Sequence, residues 1–225
     1  RDLRMSRGLG DVYKRQMIKC NVTINGIVSR TASMRTNKEG KSYISFAVKI
    51  SILAKAGSSK QVEVFVSKNG TTAELLSYVT GQRIELKGVL TFRKREENLY
   101  LNFHADSVDF HPQSERDAIE GTIEFRGTVG KQVEEKRDKK GNAYSVFSAF
   151  STEKHEENFA FTWVRFIRFS AEKESWLQPK ARICAKGVLE LSIYLDKINL
   201  SCRVEEMAEW VKPVMTNGTE DELPF

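Results

Sequence analysis

The chain has 225 residues, of which 40% are hydrophobic, and its formal net charge is +6. This length suits one large domain or two domains of about 100 residues. Because no run of about 18 apolar residues occurs and no apolar segment near the start suggests export, we expect a cytoplasmic protein that does not enter a membrane. Three widely spaced cysteines, Cys20, Cys184 and Cys202, indicate reduced core thiols rather than a disulfide framework or a metal site.

Residues 1–16 show neither strand nor helix periodicity and lead into a candidate initiator, Met17. We interpret them as a non-native segment and begin the structural interpretation at Met17. The body that follows is basic, whereas residues 213–225 carry only acidic charges. A basic body predicts a polyanionic ligand, and the acidic end predicts a second, basic partner.

An internal repeat is the feature that most constrains the fold. The segment "IKCNVTING" at 18–26 alternates apolar and polar side chains, as a half-buried strand does, and "IEGTIEFRG" at 119–127 repeats it with an offset of 101. The segment "KGVL" at 87–90 recurs at 186–189 with an offset of 99, which we attribute to a two-residue change in one loop. We therefore predict two duplicated domains, at 17–112 and 117–211, followed by a tail at 212–225.

Each repeat is interpreted as five strands with a short helix between the third and fourth. In the first repeat Thr71 and Glu74 have capping-box spacing, and Leu75, Leu76 and Val79 are expected to form the apolar face of the helix. In the second repeat the shorter helix "AEKESWL" is expected to turn its Trp and Leu inward.

Five strands and one helix match the OB-fold, a small barrel that binds oligonucleotides or oligosaccharides. A β-sandwich would need roughly seven strands per repeat. The predicted fold class is therefore all-β with short helices, in two tandem OB-fold barrels followed by a flexible acidic C-terminal tail.

The segment "FTWVRFIRFS" at 161–170 places large apolar side chains on both faces of one predicted strand. Val164 and Phe166 would face the core, and the opposite face would carry Trp163, Arg165, Ile167 and Phe169. Aromatic rings beside a cation can stack on unpaired bases and attract phosphate. The same residues could instead pack against another subunit or the other repeat, and the pattern leaves both interpretations open.

These segments together resemble the bacterial single-stranded DNA-binding (SSB) protein family over 17–225. The resemblance rests on "VTINGIVSRTASMRTNKEGKSYISFAV", "FTWVRFIRF", "KGVL" and the ending "DELPF". It implies that Trp163, Arg165 and Phe169 face DNA. It also implies contacts from the hairpin after "KGVL", by Arg93 and Arg95 in the first repeat and by Tyr194 in the second.

The first repeat departs from this pattern in its third strand, "KQVEVFVSK". The Trp, basic and Phe positions align there with Gln61, Glu63 and Ser67, which leaves Phe65 as the aromatic of that face. We expect this repeat to contact DNA through the hairpin arginines and its basic turn, and the second repeat to use a corresponding turn. The turn residues are Arg30, Arg35, Lys38 and Lys41 in the first repeat and Arg137, Lys139 and Lys140 in the second.

The C-terminal tip resembles the peptide by which the SSB family recruits other proteins. An apolar ring beside its own carboxylate suits a partner pocket with a basic rim. The predicted partner-binding residues are Glu220, Asp221, Glu222, Leu223, Pro224 and Phe225. The alternative is a frayed, solubilising end.

No nucleophile, paired-acid or phosphate-loop motif indicates an enzyme, and we expect no catalytic residue, cofactor or metal. The predicted function is sequence-nonspecific single-stranded DNA binding in replication, recombination and repair, with partner proteins held by the tip. Because four OB units commonly cooperate in the resembled family, we expect a homodimer, with a monomer as the alternative. The competing function is an OB-fold adaptor that binds little DNA.

Overall fold

A computed structural model describes residues 17–54, 57–155, 158–170, 172 and 174–211. Within these ranges the chain forms ten strands and one short 3-10 helix, Thr72–Ser77. The strands are β1 (Ile18–Thr36), β2 (Ser42–Leu53), β3 (Ser59–Lys68), β4 (Arg83–Arg95), β5 (Asn98–Asp109), β6 (Ala118–Arg137), β7 (Ala143–His155), β8 (Asn158–Arg168), β9 (Arg182–Tyr194) and β10 (Lys197–Glu209). None of the described helical residues belongs to a helix long and apolar enough to cross a membrane.

The order of strand pairing defines two OB-fold barrels. In the first unit β1 pairs with β4 through its first half and with β2 through its second half, so the order β1-β2-β3-β5-β4 closes on itself. The β3–β5 pair that completes the barrel is parallel. Strands β6 to β10 repeat this order, including the parallel pair β8–β10. This topology confirms the predicted all-β class with two tandem OB-fold barrels, whereas the predicted tail at 212–225 lies outside the described residues.

Alternation along the strands fills the core of each barrel. The predicted inward face of β1 is confirmed, since Ile18, Cys20, Val22 and Ile24 are all buried. In the second barrel the ring of Phe166 packs against those of Phe125 and Phe147, with centroids 4.9 and 5.1 Å apart. These inward residues leave their neighbours on the outer face free for other contacts.

The helices differ from the sequence prediction. The predicted capping contact is present, because the Thr71 amide donates to Glu74 Oε1 at 3.0 Å. However, the helix is a 3-10 helix with three residues per turn, which aligns Leu75 with Tyr78 rather than with Val79. Tyr78 is buried against Phe46, and the expectation that Leu76 and Val79 face the core was wrong.

The second predicted helix does not form in the described residues around it, where the chain makes turns instead. The Leu177 amide donates to the Glu174 carbonyl at 3.0 Å, which closes one turn. Trp176 and Leu177 still pack against the core, as predicted.

The glycine of the repeated "KGVL" segment is required for steric reasons. A Cβ on Gly88 would lie 2.0 Å from the carbonyl oxygen of His104, and a Cβ on Gly187 would lie 2.0 Å from that of Arg203. In both barrels the fourth strand therefore approaches the fifth too closely for any side chain, beside a register shift.

The strand register corrects the predicted position of the length change between the repeats. Val48 pairs with Val64 and Ala149 pairs with Val164, so the offset between the repeats falls from 101 to 100 across the β2–β3 turn. It falls to 99 before the fourth strand. The difference is therefore two single-residue changes and not one two-residue change.

The two barrels share a continuous sheet. β1 pairs antiparallel with β6, from Ile18 opposite Phe125 to Asn25 opposite Ala118. The β9–β10 hairpin adds ion pairs to the first unit, with Lys60 Nζ 2.7 Å from Asp196 Oδ1 and Lys197 Nζ 2.6 Å from Glu97 Oε2.

The segment between the barrels is tied to the first one by Asp117. Its carboxylate accepts hydrogen bonds from the Ser51 amide and from Arg83 Nη1, both at 2.8 Å. Burial alone would raise the pKa of Asp117, but these hydrogen bonds and the Arg83 charge outweigh it and hold the pKa below its usual value.

Candidate nucleic-acid interface

The outer face of β8 carries a row of exposed aromatic side chains in the second unit. Phe159, Phe161, Trp163 and Arg165 are exposed, while the alternate residues Val164 and Phe166 are buried. This confirms the predicted alternation. The Trp163 side chain is 50% exposed, and its ring lies 5.0 Å from that of Phe150 on β7. The row therefore presents open ring faces that are supported from one side.

Gly130 on β6 makes room for the Trp163 indole. A Cβ at this position would lie 3.1 Å from Trp163 Cζ3, closer than most real contacts of this kind. At Gly130 the ring therefore lies against backbone, while the Phe150 side chain contacts it from β7. Phe150 and Gly130 both belong to the second unit, so the support of the indole described here comes from its own barrel.

Charges near the row are mixed. Arg165 lies opposite Ser148 in the sheet, and its charge interacts electrostatically with that of Glu134 on β6. Glu134 also accepts a hydrogen bond from Lys136, with Nζ 2.7 Å from Oε2. This hydrogen bond is the main cause of the lowered pKa of Glu134, to which Arg165 adds a smaller attraction. Phosphate would compete with Glu134 for the same cations.

Two other predicted residues of the second unit lie at the ends of this surface. Phe169 follows β8 and is exposed, with its ring 5.4 Å from that of Tyr144. Tyr194 is exposed at the end of β9, beside the hairpin that contacts the first unit. Among the ring contacts of the described residues, neither of them pairs with Trp163, so this unit offers separate aromatic contacts.

In the first unit the corresponding face encloses a cleft of about 860 Å³. It lies between the β1–β2 arm and the outer faces of β3, β4 and β5. Among the predicted residues, those that line it are Arg30, Arg35, Lys38, Phe65 and Arg93. Lys41 lines an adjacent hollow of about 270 Å³, and Arg95 lies at the hairpin tip, outside the residues that line the cleft.

The register of β3 corrects the predicted alignment of its outer face. Val64 pairs with Leu101 and Val164 pairs with Leu200, so Glu63 takes the position of Trp163, and Phe65 that of Arg165. The predicted equivalences of Gln61, Glu63 and Ser67 were wrong by two residues. The departure is sharper than expected, because a carboxylate replaces the indole itself.

Glu63 is engaged by two side chains of β1. Arg30 donates from Nε to Oε1 at 2.9 Å and from Nη2 to Oε2 at 2.6 Å, and Ser29 Oγ donates to Oε1 at 2.9 Å. The same guanidinium lies over the Phe65 ring, 5.6 Å from its centroid. The Phe65 ring is also 6.4 Å from that of Tyr100.

The two basic turns have the same internal construction. Asn37 Oδ1 accepts from the amides of Glu39 and Lys41, and Asp138 Oδ1 accepts from the amides of Lys140 and Asn142. Hydrogen bonds led by that from the Asn142 side chain lower the pKa of Asp138. These turns leave the predicted cations Lys38, Lys41, Arg137, Lys139 and Lys140 exposed.

Several residues of these surfaces were not predicted. Phe150 and Phe161 support and extend the Trp163 row, and Tyr100 extends the aromatic surface at Phe65. Period-2 alternation would have found Phe161, whereas the others depend on which strand lies beside which. The predicted partner-binding tip, residues 220–225, lies outside the described residues.

A further polar pair lies in the first cleft, where Ser67 Oγ is 3.1 Å from His104 Nδ1. In the part of the chain that the structure describes, no group of three or more His, Cys, Asp or Glu side chains is placed to hold a metal ion. Burial, the leading cause, raises the pKa of the Cys20 and Cys202 thiols.

Fold and surface together define the chain as a tandem OB-fold protein with one aromatic face and one basic cleft. No protein-family model and no curated protein matches the sequence.

Among solved structures, the wild-type single-stranded DNA binding protein from Thermus aquaticus is 17% identical, with a TM-score of 0.44 over 88% of this chain and 96% of that chain. The small single-stranded DNA-binding protein from Streptomyces coelicolor is also 17% identical, with a TM-score of 0.34 over 44% of this chain and 97% of that chain. The protein priB from Ralstonia solanacearum is 19% identical, with a TM-score of 0.30 over 40% of this chain and 98% of that chain. The OB-fold assignment itself rests on the strand order.

Proposed function

We propose that this chain is a sequence-nonspecific single-stranded DNA-binding protein that acts in DNA replication, recombination and repair. The observation that carries the proposal is the exposed row formed by Phe161, Trp163 and Arg165, with Phe150 behind it. Open aromatic faces stack on bases of any sequence, and a neighbouring guanidinium attracts phosphate. In a duplex the bases are already stacked and paired, so they have no free faces on which these aromatic rings could stack.

Binding would act by occupancy and requires no chemical step. Basic side chains release counterions from the phosphates, while the rings hold bases apart so that strands cannot pair again. The basic turns and the hairpin residues Arg93 and Arg95 would follow the backbone. The similar structures from Thermus aquaticus and Streptomyces coelicolor are those of single-stranded DNA-binding proteins, which is consistent with this role.

The C-terminal tip is the proposed docking peptide for replication, recombination or repair proteins. Three acids before Leu223, Pro224 and Phe225 would suit an apolar pocket rimmed by Lys or Arg. Two copies of the chain would supply four OB units, and we propose a homodimer in the cytoplasm.

Intrinsic tryptophan fluorescence tests the binding function directly. The protein is titrated with oligo-dT and with a duplex of equal length at two salt concentrations. Quenching by oligo-dT alone that weakens with salt supports the proposal, and the Trp163→Phe variant should lose most of it. Trp176 and Trp210 serve as internal controls, because both are partly buried.

An OB-fold adaptor is the second candidate. Leu76 on the short helix is 89% exposed, and Val79, two residues beyond its end, is also exposed. The first unit therefore presents apolar side chains that suit a protein partner. No fluorescence response to either nucleic acid would favour the adaptor.

A further inference from the structure

Glu63 and Trp163 occupy equivalent positions in the two barrels. The residue of the neighbouring strand that contacts each of them also differs between the barrels. Ser29 lies beneath Glu63 and donates to its carboxylate at 2.9 Å. Gly130 is the counterpart of Ser29 and leaves space for the indole. The first unit therefore pairs a serine hydroxyl with the Glu63 carboxylate, and the second pairs a glycine with the Trp163 indole.

The Glu63 carboxylate occupies the donors of Arg30 that would otherwise face the cleft. Both contacts form together, at 2.9 and 2.6 Å, in the two-pronged geometry that guanidinium also makes with phosphate. Arg30 also lies over the Phe65 ring, and both side chains line the cleft. A base that stacked on this side of Phe65 would have to move the guanidinium.

We propose that the Glu63 carboxylate occupies the position on Arg30 that a phosphate of bound DNA would take. A phosphate must displace Glu63 from Arg30 before the cleft of the first unit can bind a single strand fully. This inference rests on the proposed single-stranded DNA binding. The corresponding position of the second unit carries an indole, so that unit binds first and the first unit binds only at higher ligand concentration. Glu63 thereby makes the two sites of one chain unequal.

The exposure of the pair makes displacement feasible. The Arg30 side chain is 64% exposed and that of Glu63 is 29% exposed. Ion pairs in such surroundings contribute little to stability and are screened by salt. A polyanion that presents several phosphates can therefore replace one carboxylate, and Glu63 lowers the affinity of the cleft without closing it.

The test uses the full chain with Trp163→Ala, so that the first cleft dominates binding. Fluorescence anisotropy of a labelled oligo-dT is followed over a salt series, with and without Glu63→Gln. We expect Glu63→Gln to raise the affinity about fivefold, the upper range for an exposed ion pair. The slope of log K against log salt should stay nearly unchanged, because Arg30 neutralises the same phosphate whether Glu63 is displaced or removed.

Two controls separate this mechanism from a general change of charge. Asp106→Asn removes one exposed carboxylate from β5 of the same unit, and in the described residues Asp106 is not a partner of Arg30. It should change the affinity less than twofold. In an Arg30→Gln background Glu63→Gln should change the affinity no more than Asp106→Asn does, since the guanidinium that Glu63 binds is gone.

Equal effects of Glu63→Gln and Asp106→Asn would overturn the inference, as would an effect of Glu63→Gln larger than that of Asp106→Asn in the Arg30→Gln background. Both results would leave the proposed function intact, because the oligonucleotide still binds. If the wild-type chain binds no oligo-dT, the proposed function fails and the inference fails with it.

Discussion

Asn21 of β1 lies opposite Thr122 of β6, and these two residues occupy equivalent positions in the two repeats. The pairs on either side obey the same symmetry, since Ile18 opposite Phe125 corresponds to Ile24 opposite Ile119. A local two-fold axis therefore passes between the repeats, as in a symmetric dimer whose subunits have been joined.

The charges along the β1–β6 interface favour pairing of a first unit with a second unit over pairing of two identical units. Lys19 lies opposite Glu124. If two second units paired in the same register, Glu120 of one would lie opposite Glu124 of the other, whereas two first units would place Lys19 opposite Thr23. Like charges directly opposite each other destabilise a sheet by up to ~1 kcal/mol per pair.

The first prediction concerns the isolated units. Residues 17–112 expressed alone should form a homodimer through the free edge of β1, and residues 117–211 should associate about tenfold more weakly because of two like-charged pairs. Mixing the fragments should give the mixed dimer in preference to either. Size-exclusion chromatography with light scattering measures this. Equally tight self-association of both fragments would show that the charges at the β1–β6 interface do not favour the mixed dimer.

The second prediction ranks the aromatic contacts. Trp163→Ala or Phe169→Ala should weaken oligo-dT binding by roughly 1 to 3 kcal/mol each, the usual contribution of one stacked base. Phe65→Ala should cost less, because Arg30 already covers one face of that ring. Anisotropy titrations at constant salt measure the losses, and circular dichroism controls for folding. Equal losses at all three positions would contradict unequal units.

The third prediction concerns the C-terminal tip. Deletion of residues 223–225 should leave thermal stability and oligo-dT affinity within experimental error of the wild type, since the tip is proposed to act only on other proteins. The same deletion should abolish pull-down of partners from a bacterial lysate. A matched variant that retains Leu223–Phe225 but carries Glu220→Gln should keep part of the interaction, because the apolar end remains. Retained pull-down after the deletion would argue against a docking peptide.

The fourth prediction is a pH dependence of stability centred on Asp117. Its pKa is lowered in the folded state, so its contribution is fully present above the unfolded value of 3.8 and is lost as the pH falls through the folded value. Asp117→Asn should therefore lower the free energy of unfolding at pH 7 by about 2 kcal/mol. The difference should shrink as the pH falls below about 4. Urea denaturation at several pH values measures it, with Asp106→Asn as the control, and a difference independent of pH would exclude the carboxylate charge as the cause.

The barrels could be predicted from sequence because their signals are local and repeated. Alternation assigns Ile18, Cys20, Val22 and Ile24 to one buried face, and the recurrence of "KGVL" identifies a close backbone approach at Gly88 and Gly187. The short helix was only partly predictable. Whether its turn has three residues or 3.6 depends on the contact of Tyr78 with Phe46, which no local pattern contains.

The candidate site divides in the same way. Trp163 and Arg165 could be found within one strand, since they are two residues apart and need only its alternation. The equivalence of Glu63 and Trp163 could not, because single-residue changes in two loops shift the alignment. Only the pairing of β3 and β8 with their neighbours resolves that shift.

The sequence by itself determined two five-stranded repeats, a basic body with an acidic tip, and an aromatic strand in the second repeat. Each of these follows from the period, the charge or the order of residues along the chain. Tertiary structure alone decided that the repeats share a sheet through β1 and β6, that Phe150 and Gly130 support Trp163, and that Arg30 is held by Glu63. Those contacts join residues on different strands, and they exist only once the barrels close and bring those strands side by side.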